Sequence, residues 1–132
     1  MKMDKEMIEA LQRVAAKPTP QEFIQKLFQS RDIAHLAHLK TKNDAAHRAL
    51  NKYYDTLLDR VDSFVESYQG LYGILNLTIP ASTAEEPVKH LETLHSYIET
   101  NKKIFTDSAL LNQIDEFKTL IQSTLYKLKY LS

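Results

Sequence analysis

The chain has 132 residues with 43% hydrophobic content, enough to bury one core and too few for two. Its 17 basic and 17 acidic residues cancel, which removes the global field that draws proteins to nucleic acid or to anionic membranes, so a nucleic-acid partner is not expected. No cysteine is present, which excludes disulfides and thiolate chemistry and leaves His, Asp and Glu as the strong metal ligands.

Two glycines and four prolines in a background rich in Leu, Ala, Lys, Glu and Gln predict an all-α chain. Met7, Ile8, Leu11, Val14 and Ala15 recur at helical spacing, which predicts a short amphipathic helix over about residues 3–16, ending before Lys17-Pro18-Thr19-Pro20. This segment lacks the apolar stretch of a signal peptide, and no later run reaches transmembrane length, so a soluble intracellular protein without a membrane partner is expected. Residues 1–18 read as an N-terminal helix and linker, and residues 19–132 as the main domain.

Thr19, Pro20 and Glu22 form an N-cap, a first-turn proline and the acidic member of a capping box, so the first long helix is placed at about 20–40. Asn43 and Asp44 offer caps for the next, which Leu50, Leu57, Val61, Phe64 and Tyr68 carry to Gln69, with Gly70 as its C-terminal cap. Residues 70–82, GLYGILNLTIPAS, read as an apolar connection. Ser82, Glu85 and Pro87 mark the start of the third helix, whose inner stripe is Val88, Leu91, Leu94 and Ile98. Thr106 or Asp107 caps the fourth, where Leu110, Ile114, Phe117, Ile121, Thr124, Leu125, Leu128 and Leu131 form a seam. Four long helices predict a four-helix bundle. The longest connection falls between the second and third helices, where a ferritin-like bundle has its crossover; fully extended it reaches roughly 43 Å, about one long helix, so both crossover and up-down topologies are open.

The stretch HLAHLKTKNDAAH holds three of the five histidines, His35, His38 and His47. Continuing the Phe23, Ile24, Leu27, Phe28 stripe at 100° per residue places His35 and His38 on the same face. On the second helix Asp55, Asp59, Asp62 and Glu66 step by four, three and four, a ridge in which like charges repel by about 0.2–0.5 kcal/mol per pair. Such a ridge alone is most simply a solvated acidic edge; its functional reading is a surface for a cation or a basic partner. His47 and Asp62 lie about 22 Å apart along one helix, far beyond the span of one metal site. Two antiparallel copies related by a twofold axis would bring His35 and His47 of one chain against Asp62 and Glu66 of the other.

The spacing of His35, His47, Asp62 and Glu66 resembles the ferroxidase signature of the starvation-induced mini-ferritins, the Dps-like proteins. The stretch HLAHLKTKNDAAHRALNKYYDTLLDRVDSFVESYQG is more similar still to a group of tailed-phage-associated proteins that look like shortened relatives of that fold, in which His38 stands beside His35. The resemblance implies a ferritin-like homo-oligomer built on twofold dimers. It also implies metal ligands at His35, His38, His47, Asp62 and Glu66, and oxidation of Fe(II) by peroxide or oxygen. Its implied location is the bacterial cytoplasm or a virion. The chain departs from the mini-ferritin pattern at Asn51, where an acid is usual, at Leu36, where tryptophan is common, and in its first helix–helix turn, which lacks glycine.

Glu92 and His95 offer the ExxH spacing of intrasubunit di-iron bundles, but the second ExxH is missing, so His90, Glu92 and His95 are expected to be exposed side chains. Two further readings stand beside the iron-handling oligomer. One is a structural or adaptor protein, such as a phage virion component, that keeps the bundle without turnover. The other is a helical module that docks a partner through residues 3–16.

Overall fold

The computed structural model describes residues 4–8 and 17–132. Residues 5–8 are helical, opened by the Asp4 carboxylate, which accepts the Met7 N–H at 2.8 Å. The expected N-terminal helix beyond them lies outside the described residues.

The described chain is all-helical. Helix α1 spans Pro20–Lys40, α2 Asp44–Tyr72, α3 Pro87–Asn101 and α4 Ser108–Tyr130, with a 3₁₀ turn at Lys102–Ile104. None is long and apolar enough to cross a membrane. Local chemistry sets most of these limits. Thr19 and Glu22 close a reciprocal capping box on α1, Asn43 accepts the Ala46 N–H at 2.8 Å, and Asp107 accepts the Leu110 N–H at 3.1 Å.

Two boundaries differ from expectation. Helix α2 runs through Gly70 and stops at Gly73, whose φ of 101° is the left-handed conformation that a Cβ disfavours. Helix α3 is capped by Glu86, whose carboxylate accepts the Val88 and Lys89 N–H groups, and not by Ser82 or Glu85. Each of its two oxygens satisfies one orphan donor.

Side-chain pairs fix the relative directions of the helices. Ser30 meets Tyr53 and His38 meets His47, so α1 and α2 are antiparallel. Ser30 meets His90 and Phe23 stacks on Tyr97, so α1 and α3 are antiparallel. Arg60 pairs with Glu116 and Ser67 with Gln113 across α2 and α4, and His95 with Gln122 and Glu92 with Lys129 across α3 and α4. Each helix therefore packs antiparallel against two neighbours, in the cyclic order α1, α2, α4, α3.

Helices α2 and α3 consequently point the same way, and residues 73–86 must return along the helices. They do so beside α1, where Gln25 donates to Thr78 and Gln29 to the Ala81 carbonyl.

The core draws on all four helices. Phe23, Leu27, Leu50, Leu57, Phe64, Leu91, Ile98, Ile114 and Phe117 are almost wholly buried, each contributing about 1.5–3 kcal/mol of hydrophobic stabilisation. Phe105, in the α3–α4 connection, seals one end by edge contacts to Phe23, Phe64 and Tyr68. The α4 seam is buried as expected from Leu110 to Thr124, whereas Leu131 is exposed just past the helix end.

Candidate functional site

The end of α1 and the start of α2 form a corner that gathers three histidines. His38 is buried and His47 exposed, yet their rings stack at 3.6 Å with 22° between planes. His38 Nδ1 lies 2.7 Å from the His47 carbonyl, and His47 Nδ1 lies 2.9 Å from the His38 carbonyl. A carbonyl only accepts, so each Nδ1 carries the proton and donates, leaving each neutral ring's Nε2 with a free lone pair. Metal-bound histidines are commonly oriented by such an N–H to carbonyl bond on the other nitrogen.

The stacking also sets a limit. An imidazole lone pair lies in the ring plane, so two nearly parallel rings do not aim at one ion, and at most one of these histidines serves a given metal.

His35 sits differently. It is half-buried, its ring lies on Tyr54 at 4.4 Å, and the His38 ring is 6.0 Å away. The Tyr54 hydroxyl donates to Asn51 Oδ1 at 2.7 Å. Burial pushes the Tyr54 phenol up, Asp55 adds to this, and Arg31 opposes it. Asn51 thus anchors the tyrosine that supports His35.

Asp62 and Glu66 lie exposed on the outer face of α2, together with Asp55 and Asp59. They are about 22 and 28 Å along the helix from His47, so one chain does not assemble the five expected ligands. Among the described residues no group of three or more His, Asp or Glu side chains is placed to hold a metal ion.

A second polar constellation was not foreseen. His90, expected to be exposed, is half-buried: Nε2 lies 2.7 Å from Ser30 Oγ and Nδ1 lies 3.5 Å from Glu85. Ser30 is fully buried and its hydroxyl lies 2.7 Å from the Tyr53 hydroxyl, which is also fully buried. Glu85, His90, Ser30 and Tyr53 form one chain from surface to core. Burial pushes the imidazole of His90 below its ordinary value, Glu85 raises it and Lys26 lowers it further. His95, also expected to be exposed, is half-buried and bonds Gln122, while Glu92 is exposed near Lys129.

The fold and this corner define an all-helical protein with a histidine cluster at one helix–helix turn. Residues 38–128 match the model of a family of unknown function, DUF5856, and the chain belongs to that family. The match takes in His38, His47, Asp62 and Glu66 and begins after Asp32 and His35. No curated protein and no solved structure matches the chain.

Proposed function

We propose that this protein is a Dps-like, ferritin-type four-helix bundle that assembles through twofold dimers and binds and oxidises Fe(II) at histidine–carboxylate sites shared between two chains. The carrying observation is the division of ligands within one chain. His35, His38 and His47 stand at one corner with free ring nitrogens, while Asp62 and Glu66 stand exposed far along α2. Antiparallel pairing of α2 with a copy of itself about a point near residues 54–57 sets His47 opposite Asp62 or Glu66. The return of residues 73–86 along α1 supports ferritin-like connectivity.

Neutral imidazole and carboxylate ligands suit iron. Iron is the substrate in this reading. Two Fe(II) ions each give one electron to peroxide, which takes up two protons and leaves as water. The chain's part is to hold the ions with their open positions toward the oxidant.

A rival reading, a non-catalytic structural or adaptor protein, draws on one observation. His38 and His47 satisfy each other, and Asn51 is occupied by Tyr54, so the corner also makes sense as a mechanical joint.

Native mass measurement with anaerobic Fe(II) titration, followed by peroxide, separates the two. The iron reading expects an even-numbered oligomer, stoichiometric Fe(II) binding and an oxidised-iron absorbance that His47→Ala or Asp62→Ala abolishes. A monomer that leaves Fe(II) unbound would sink it.

A further inference from the structure

A cavity of about 330 Å³ opens beside His35, lined by Asp32, His35 and Leu36 of α1 and by residues 79–82 of the returning connection. Among the described residues, His35 is the one histidine whose ring makes no hydrogen bond; His38 and His47 hold each other's backbone, His90 holds Ser30, and His95 holds Gln122. Its ring plane is nevertheless fixed by stacking on Tyr54. A ring that is held in place while both nitrogens stay uncommitted is pre-organised for a ligand.

Asp32 precedes His35 by three residues, and helix neighbours at this spacing have Cβ atoms about 5–6 Å apart, close enough for both side chains to reach one cation through bonds of about 2 Å. Asp32 Oδ1 lies 3.2 Å from Arg31 Nη1, an ion pair exposed enough to yield easily, and its other oxygen has no such contact.

We propose that Asp32 and His35 form a binding site for a divalent transition-metal cation within a single chain, in the cavity under residues 79–82, with water completing the coordination. At about 30 Å³ per water, the cavity holds an ion with several waters. One imidazole and one carboxylate favour Zn(II), Fe(II), Co(II) or Mn(II) over Ca(II) or Mg(II). The proposal rests on the reading that this corner takes a metal, but it needs no second chain and gives no role to Asp62 or Glu66.

The test is titration of the full chain with Co(II), followed by calorimetry and by the paramagnetic broadening of the histidine ring protons in NMR spectra. The expected result is selective loss of the His35 ring signals at low Co(II), with His90 and His95 still visible. Asp32→Asn and His35→Gln should each weaken binding at this site about tenfold or more, with unchanged circular dichroism, and the control Asp115→Asn, exposed on α4 and outside both sites, should bind as wild type. Binding that ignores Asp32→Asn but fails in Asp62→Asn/Glu66→Gln would overturn this proposal and leave the shared site standing. Binding that depends on Asp32 and His35 alone, in a monomer, would support the proposal and count against the shared site. Absence of Co(II) binding to wild type would overturn both.

Discussion

His90 Nε2 lies 2.7 Å from Ser30 Oγ across the α1–α3 interface, and donor–acceptor chemistry orders everything attached to that contact. A carboxylate only accepts, so a neutral His90 whose Nδ1 faces Glu85 at 3.5 Å carries its proton on Nδ1, and Nε2 is the acceptor. Ser30 then donates to His90, and its oxygen accepts the Tyr53 hydroxyl. Each buried hydroxyl proton has one acceptor, and the chain runs one way, from Tyr53 out to His90.

Removing the middle of this chain should cost more than removing its end. Ser30→Ala leaves the wholly buried Tyr53 hydroxyl without an acceptor and is expected to destabilise by about 1–3 kcal/mol in urea unfolding. Tyr53→Phe leaves Ser30 still donating to His90 and should cost about 0.5–1.5 kcal/mol. The double variant should lose less than the sum, because the orphaned phenol is gone. Additive losses would show that the hydroxyls are not coupled.

Acidification should weaken the fold through the same chain. Burial holds the His90 imidazole below its ordinary value, so the unfolded chain takes up more protons as the pH falls through the ordinary histidine range of about 6.5. The contribution of His90 is complete above that range and is lost on descent toward its lower folded value. A proton on Nε2 would also reverse Ser30 and leave Tyr53 without an acceptor. His90→Gln, which does not titrate, should flatten the dependence of unfolding free energy on pH between about 7 and 5. An unchanged slope would assign the acid sensitivity elsewhere.

Three of the four long helix starts were legible in the sequence because capping is local chemistry: Thr19 with Glu22, Asn43 and Asp107 act where their side chains place them, whereas α3 takes its cap from Glu86. The return of residues 73–86 was legible only as a possibility, since length permits a crossover without requiring it. The burial of His90 was not legible because α3 was weighed for ExxH metal spacing and not for a polar partner on a neighbouring helix. The available signal lay in α1, where Ser30 interrupts the buried row of Leu27, Ala34 and Ala37 and must find a polar partner. At the corner the sequence placed His35, His38 and His47 near one turn but not their bonds, because contacts between a ring and a carbonyl nine positions away depend on how the turn is closed. The separation of His47 from Asp62 along α2 follows from helix rise alone and was legible in full.

The two glycines should respond in opposite directions. Gly70 lies inside α2 with open space where a Cβ would stand, so Gly70→Ala should stabilise by about 0.5–1 kcal/mol. Gly73 has equally open surroundings but a φ of 101°, so Gly73→Ala should destabilise by about 1 kcal/mol through backbone strain alone. Thermal unfolding of the two variants checks this, and a stabilising Gly73→Ala would mean that α2 ends differently in solution.

The His38–His47 pair tests whether the corner is a joint, a metal site or both. Each side chain donates to the other residue's backbone, so each single replacement removes one hydrogen bond and the shared stack. His47 is exposed, and His47→Ala should cost about 1–2 kcal/mol. His38 is buried, and His38→Ala should cost about 2–3 kcal/mol because it also opens space in the α1–α2 interface. The shared stack predicts a double variant less destabilised than the sum, with a coupling of about 0.5–1.5 kcal/mol. Repeating the unfolding with excess Fe(II) under anaerobic conditions adds the functional axis, since a ligand that binds only the folded chain raises its stability by RT ln(1 + L/Kd), where L is the free ligand concentration. Wild type should gain from Fe(II), and His47→Ala should lose that gain together with its hydrogen bond. Equal gains in wild type and His47→Ala would leave His47 as part of a joint that fixes the turn between α1 and α2, with no role for its ring in holding the metal.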